Sequence, residues 1–158
     1  MKKIQSIKIK HVVDESPDTS YMGEYSNKRN KFSFDRKILG DMNRGEYRYF
    51  NPYVNPLTGK TQKEKKDLFL QAKQDYERME SLNNGNWCYI GIIAEAEINI
   101  NGVIQRITSG GLYGIESDSG RDYMEEIEKE ELNNLKAQLK EIGFSETDIN
   151  KIEIKEVD

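Results

Sequence analysis

Cysteine and histidine are almost missing from this chain of 158 residues, with one of each. The lone Cys88 excludes an intramolecular disulfide framework, and inside an apolar run it reads as a small buried hydrophobe rather than a nucleophile. A reducing cytosol fits that usage. The lone His11 has no second imidazole or neighbouring thiol to share a metal with, and the sequence pairs it with no serine or cysteine nucleophile. No apolar run approaches the roughly 18 residues that span a bilayer. The opening MKKIQSIKIK is basic but lacks an apolar core and a small-residue cleavage site, so no signal peptide is expected. Aliphatic side chains are modest in number while 33% of the chain is charged, so the core must be small and lean on nine tyrosines and five phenylalanines. One domain over residues 1–158 is the expectation at this length, with no need of covalent staples.

What is present centres on NWCYIGIIAEAEININGVIQRITSGGLYGIESDS, from Asn86 to Ser119. Two apolar runs meet at Asn101-Gly102, the pair that supplies two positive-φ residues to a type I′ turn, so a long central hairpin is expected. Trp87, Tyr89, Ile90, Ile92, Ile93, Ile98 and Ile100 line the first arm, and Val103, Ile104, Ile107, Leu112, Tyr113 and Ile115 the second. Glycines within a strand signal a bulge or close backbone approach, so the second arm should bend at Gly110-Gly111.

Ahead of the hairpin, Ile4 to Val13 alternates apolar and polar residues as a half-buried strand does, with Lys8 and Lys10 facing water. Asp14 to Lys31 is rich in Asp, Ser, Pro, Gly and Asn without period and reads as a long surface loop. Asp14, Glu15, Asp18 and Glu24 could gather oxygen ligands there, but the spacing lacks the glycine and final glutamate of an EF-hand loop. Tyr21, Met22 and Tyr25 argue that this loop docks on the body or on a partner. Phe32, Phe34, Tyr47 and Tyr49 suit two short strands around a Gly40-Asp41-Met42-Asn43-Arg44-Gly45 turn. Lys28, Arg29, Arg36, Lys37, Arg44 and Arg48, mixed with Tyr47, Tyr49 and Phe50, form a candidate platform for nucleic acid. Gly59-Lys60-Thr61 matches the end of a phosphate-binding loop, but Val54 stands where the first glycine is required. Thr61 and Glu64 instead make a capping box for a helix to about Leu82, burying Leu68, Ala72, Tyr76, Met79 and Leu82.

A second helix is expected from about Arg121 to Ile142, burying Tyr123, Ile127, Leu132, Leu135, Leu139 and Ile142. Asp122, Glu125, Glu126, Glu128, Glu130 and Glu131 crowd its first half. The helix dipole favours acids in an opening turn, which accounts for only the first few. Ser145-Glu146-Thr147-Asp148 opens a short helix, and Lys151 to Val157 alternates as a closing strand. The expected fold is α+β: an antiparallel sheet of about five or six strands with two long helices on one face. Charge is graded along it, with 12 Lys/Arg against 7 Asp/Glu in residues 1–60 and 6 against 14 in residues 116–158.

The ordered blocks Asp14-Glu15-Ser16-Pro17-Asp18, Tyr21-Met22-Gly23-Glu24-Tyr25-Ser26, Tyr49-Phe50-Asn51-Pro52, Gly85-Asn86-Trp87-Cys88, Ala94-Glu95-Ala96 and Ile107 to Ser119, with the acidic helix after them, resemble a family of small proteins carried by phages and plasmids. The resemblance covers nearly the whole chain. Within that setting, size and a Lys/Asn/Ile-rich composition are similar to the staphylococcal type II-A anti-CRISPR proteins, which inhibit Cas9. The resemblance implies a non-enzymatic protein without cofactor or metal that binds guide-loaded Cas9 stoichiometrically, at its DNA-recognition surface or its HNH domain. Two partner-binding surfaces are expected: Glu116, Asp118, Asp122, Glu125, Glu126 and Glu128 around the second helix, and Asp14, Glu15, Asp18, Tyr21, Glu24 and Tyr25 in the loop. The rivals are a nucleic-acid-binding accessory protein using the basic N-terminal half, and an enzyme or metal protein built where the two acidic loops meet.

Overall fold

The computed structural model describes residues 1–37 and 46–157; the turn read over Gly40 to Gly45, with Arg44, lies outside them. The elements in order are β1 (Lys2–Val13), β2 (Gly23–Ser26), β3 (Phe34–Asp35), β4 (Tyr49–Pro52), a 3-10 turn (Pro56–Thr58), α1 (Gln62–Asn83), β5 (Tyr89–Ile100), β6 (Val103–Thr108), β7 (Leu112–Glu116), α2 (Arg121–Ile142), α3 (Glu146–Asn150) and β8 (Ile154–Val157). The α+β class is the one expected. Its strands are shared between a five-stranded and a three-stranded sheet. Two compact units result, one of Met1–Pro17 with Trp87–Asp158 and one of Asp18–Asn86, and each holds one of the two long helices. No helix among the described residues is long and apolar enough to cross a membrane.

In the first unit the strand order is β6-β5-β1-β8, with β7 also paired to β5. Pairing is antiparallel except between β1 and β8, which run parallel. In β5 the residues Ile90, Ile92, Ala94, Ala96 and Ile98 alternate onto one buried face. In β1 the matching residues are Ile4, Ile7 and Ile9, and a register shift between Ile4 and Ser6 absorbs the three-residue step from Ile4 to Ile7. That bulge keeps every isoleucine on the core side.

The hairpin turn forms as its residues demand, with Asn101 at φ 52° and Gly102 at φ 87°. The second arm breaks in two. Gly110 at φ 91° and Gly111 at φ 83° turn the chain between β6 and β7.

Helix α2 lies on the buried face through Ile127, Leu135 and Leu139, and the short α3 adds Ile149. Tyr123, expected inside, is 52% exposed, because it falls to the side of the face on which Met124 and Ile127 pack against the sheet. Gly143 ends α2 in the left-handed conformation at φ 109°, and Lys2 Nζ donates to the Ile142 carbonyl at 2.7 Å, a cation placed on the negative helix terminus. Ser145 caps α3 by accepting from the Asp148 N–H.

The second unit packs α1 beside a small antiparallel sheet ordered β2-β4-β3. The capping box is present, with Thr61 accepting from the Glu64 N–H. Strand β2 falls inside the segment read as loop, since its one strongly apolar position alternates too briefly to register in the sequence. Aromatic rings fill this core: Phe34 stacks on Tyr76 at 5.0 Å, Phe50 meets Tyr76 at 5.6 Å, and Tyr25 meets the edge of Phe50 at 5.7 Å. Met22, Phe50, Ala72 and Met79 are its buried apolar residues.

Ala94 and Ala96 are fully buried in the same cluster as Leu135 and Leu139, a small-residue floor that sets how close α2 can approach. Ala96→Leu inserts three heavy atoms at that floor and is expected to cost about 1–3 kcal/mol or more of unfolding free energy, measured by urea denaturation.

Candidate functional site

Helix α2 opens at Gly120, which offers no side-chain cap, and carries Asp122 in its first turn, where the helix dipole favours a negative charge. From there its carboxylates divide by the face they occupy. Glu131 is on the buried face, 6% exposed, and is not part of a solvated acidic crowd as the sequence suggested. Its Oε2 accepts from Ser109 Oγ at 2.5 Å and from the Gly111 N–H at 3.2 Å. Ser109 in turn accepts from the Ala94 N–H at 3.0 Å through its hydroxyl and donates its own N–H to the Ala94 carbonyl at 2.9 Å. One carboxylate thus ties α2 to the glycine bend between β6 and β7.

Glu128 sits at the edge of the same face. Its Oε1 lies 2.7 Å from His11 Nε2 of β1, joining helix to sheet. A groove of about 360 Å³ opens beside the pair, bordered by Ser117, Ser119, Met124 and Glu156. Glu125 is exposed and held at 2.8 Å by Arg121, one turn before it. Glu116 is half-buried at the end of β7 and Asp118 exposed in the following turn.

Asp122, Glu126 and Glu130 are different. All three are exposed on the outward side of α2, one helical turn apart, and none has an ion-pair partner among the described residues. Carboxylates at i,i+4 spacing repel, at about 0.2–0.5 kcal/mol per pair.

The loop surface does not hold together as one feature. The boundary between the units falls at Pro17, so Asp14 and Glu15 belong to the first and Asp18, Tyr21, Glu24 and Tyr25 to the second. Asp14 is structural: one carboxylate oxygen accepts from the Ser16 N–H and the other from the Gly114 N–H, both at 3.1 Å. Asp18 accepts from the N–H and hydroxyl of Ser20, which hold its carboxyl below the usual range. Glu15, Tyr21 and Glu24 are exposed. Tyr25 is no loop anchor, being paired with Phe50 in the β2–β4 ladder.

The basic and aromatic platform is likewise taken up by packing. Arg36, 7% exposed in its side chain, bonds Glu80 at 2.7 Å, and its guanidinium lies 4.0 Å from the centre of the Tyr25 ring. Phe50 is fully buried. Arg29 lies 6.0 Å from the centre of the Tyr49 ring, and Arg29, Lys28 and Arg48 remain exposed. No group of three or more His, Cys, Asp or Glu residues among those described is placed to hold a metal ion. No protein-family model, curated protein or solved structure matches this chain.

Two measurements check these assignments. Glu131→Ala leaves the Ser109 hydroxyl and the Gly111 N–H without their acceptor and is expected to cost about 1–3 kcal/mol, whereas Glu126→Ala should stay within about 0.5 kcal/mol, both read by urea denaturation. In the second unit, burial and then the nearby Glu80 carboxylate push the Tyr25 phenol up to about 12, and burial also raises Tyr76. Tyrosines of the unfolded chain ionise near about 10, so above that pH the folded state holds more protons and stability falls as pH rises toward 12. Tyr25→Phe should flatten this alkaline loss in denaturation curves followed across the same window.

Proposed function

We propose that this chain is a non-enzymatic inhibitor that binds a nucleic-acid-handling protein stoichiometrically, with Cas9 the target that the sequence resemblance implies. The observation that carries the reading is the row Asp122, Glu126 and Glu130. Carboxylates with no ion-pair partner among the described residues, at one-turn spacing on a helix whose other face is anchored in a core, make a fixed line of negative charge. A protein that grips a nucleic-acid heteroduplex lines its channel with Lys and Arg, and a rigid acidic row is complementary to such a channel. Glu125 and Asp118 extend the exposed negative surface at the N-terminal end of the helix. Glu128 and Asp14 hold the fold in place and act on the partner only indirectly.

The alternative, direct binding of nucleic acid by the basic half, has Lys28, Arg29 and Arg48 in its favour. Arg36 and Phe50 are withdrawn from it by the ion pair and the core.

The test is co-purification with guide-loaded Cas9 of a staphylococcal type, followed by DNA cleavage at equimolar and excess protein. A stable complex with cleavage lost near one equivalent, and both effects abolished by Asp122→Lys/Glu126→Lys/Glu130→Lys in a chain that still melts cooperatively, is the expected result. Unimpaired cleavage at excess protein removes Cas9 as the target. Retention of duplex DNA by the protein alone, falling steeply with salt, moves the assignment to the nucleic-acid reading.

A further inference from the structure

Strand edges are where a sheet protein can pair with another chain, and several edges here are too short or too charged to do so. The edge strand β8 is short and carries Lys155 and Glu156, while β2 and β3 are shorter or equally short. Strand β6 is not protected. It is regular in its pairing to β5, holds no proline, and exposes Val103 (58%) and Ile104 (56%). No described strand pairs with its outer side.

The register of the hairpin fixes which backbone groups that side presents. In a two-residue hairpin the residues flanking the turn exchange hydrogen bonds, and bonded pairs recur at every second position. Ile100 with Val103, Ile98 with Gln105 and Ala96 with Ile107 are therefore the bonded pairs, so the N–H and C=O groups of Ile104, Arg106 and Thr108 point outward. We propose that β6 pairs antiparallel with β6 of a second copy of this chain, about a two-fold axis at Gln105, joining two five-stranded sheets into one.

Side-chain chemistry selects that register. Centred on Gln105, the pairing sets Ile104 and Arg106 of one copy against Arg106 and Ile104 of the other, and their outward backbone groups exchange hydrogen bonds. Val103 meets Ile107 on the side that carries α2, so an apolar contact continues across the seam. Centring on Arg106 would stack two guanidinium groups, a like-charge contact. Centring on Ile104 would leave half of the strand, Arg106 to Thr108, opposite the turn or unpaired. The Glu97 carboxylate, 3.8 Å from Arg106, lowers the positive charge at the seam. This surface is distinct from the outward acidic row of α2, and the proposal stands or falls independently of the Cas9 reading.

Sedimentation of the wild-type chain over a range of protein concentrations is expected to show a reversible dimer. Gln105→Lys places two ammonium groups against each other on the axis and is expected to give a monomer with the circular dichroism of a folded chain and a melting temperature that no longer rises with protein concentration. Gln105→Cys should form a disulfide-linked dimer under mild oxidation, since facing non-hydrogen-bonded residues have Cα atoms about 4.5 Å apart, within reach of a disulfide. Ile104→Cys, which faces Arg106, should not cross-link. A wild-type chain that remains monomeric at every concentration, or a dimer that persists in Gln105→Lys or cross-links equally through Ile104→Cys, overturns the proposal.

Discussion

The pairing of β1 with β5 carries the first unit. Each strand runs twelve residues and the two are matched along almost all of that length, so their isoleucines and alanines form one continuous apolar face. Every other element of the unit is placed by that face or by the two edges of the pair. Helix α2 lies on it, β8 extends it at β1, and β6 and β7 extend it at β5. The bulge between Ile4 and Ser6 is the adjustment that lets a sequence with uneven apolar spacing serve this purpose. Without it, the residues on one side of the step would be turned to the wrong face.

Features written in local spacing were legible. Asn101-Gly102 announced the hairpin turn, Thr61 and Glu64 the start of α1, and the apolar period of residues 121–142 the extent of α2. Features that depend on residues far apart in the chain were not. Helical phase sets Glu131 between Ile127 and Leu135, but what lets a carboxylate be buried there is distant in the chain: Ser109 and Gly111, which the glycine bend brings beneath it. Arg36 read as a surface cation because its partner Glu80 and the Tyr25 ring come from other elements. The alternation at Phe32 and Phe34 and at Tyr47 and Tyr49 announced two short strands, found as β3 and β4, but β2 is too short to show alternation, and the cohesion of the three as a sheet comes from aromatic contacts between segments.

The candidate surface was legible only in composition. An acidic helix was evident, but its carboxylates serve three different ends: internal tethers at Glu128 and Glu131, a local pair at Glu125, and exposed charge at Asp122, Glu126 and Glu130. Helical phase separates them. Residues four apart share a face, so the row at 122, 126 and 130 and the buried series at 127, 131, 135 and 139 interleave along one element without mixing. Charge that would be costly in the core is thereby kept on the outside of the same helix that closes it.

The Asp14 N–H donates to the Tyr89 carbonyl at 2.9 Å, so the chain leaves the first unit and re-enters it at adjacent points. The second unit is therefore an excursion out of a single gap between β1 and β5, and the first unit is topologically complete without it. Such an arrangement lets the excursion change in length or content with little effect on its host, because the entropy of closing a loop grows only slowly with its length.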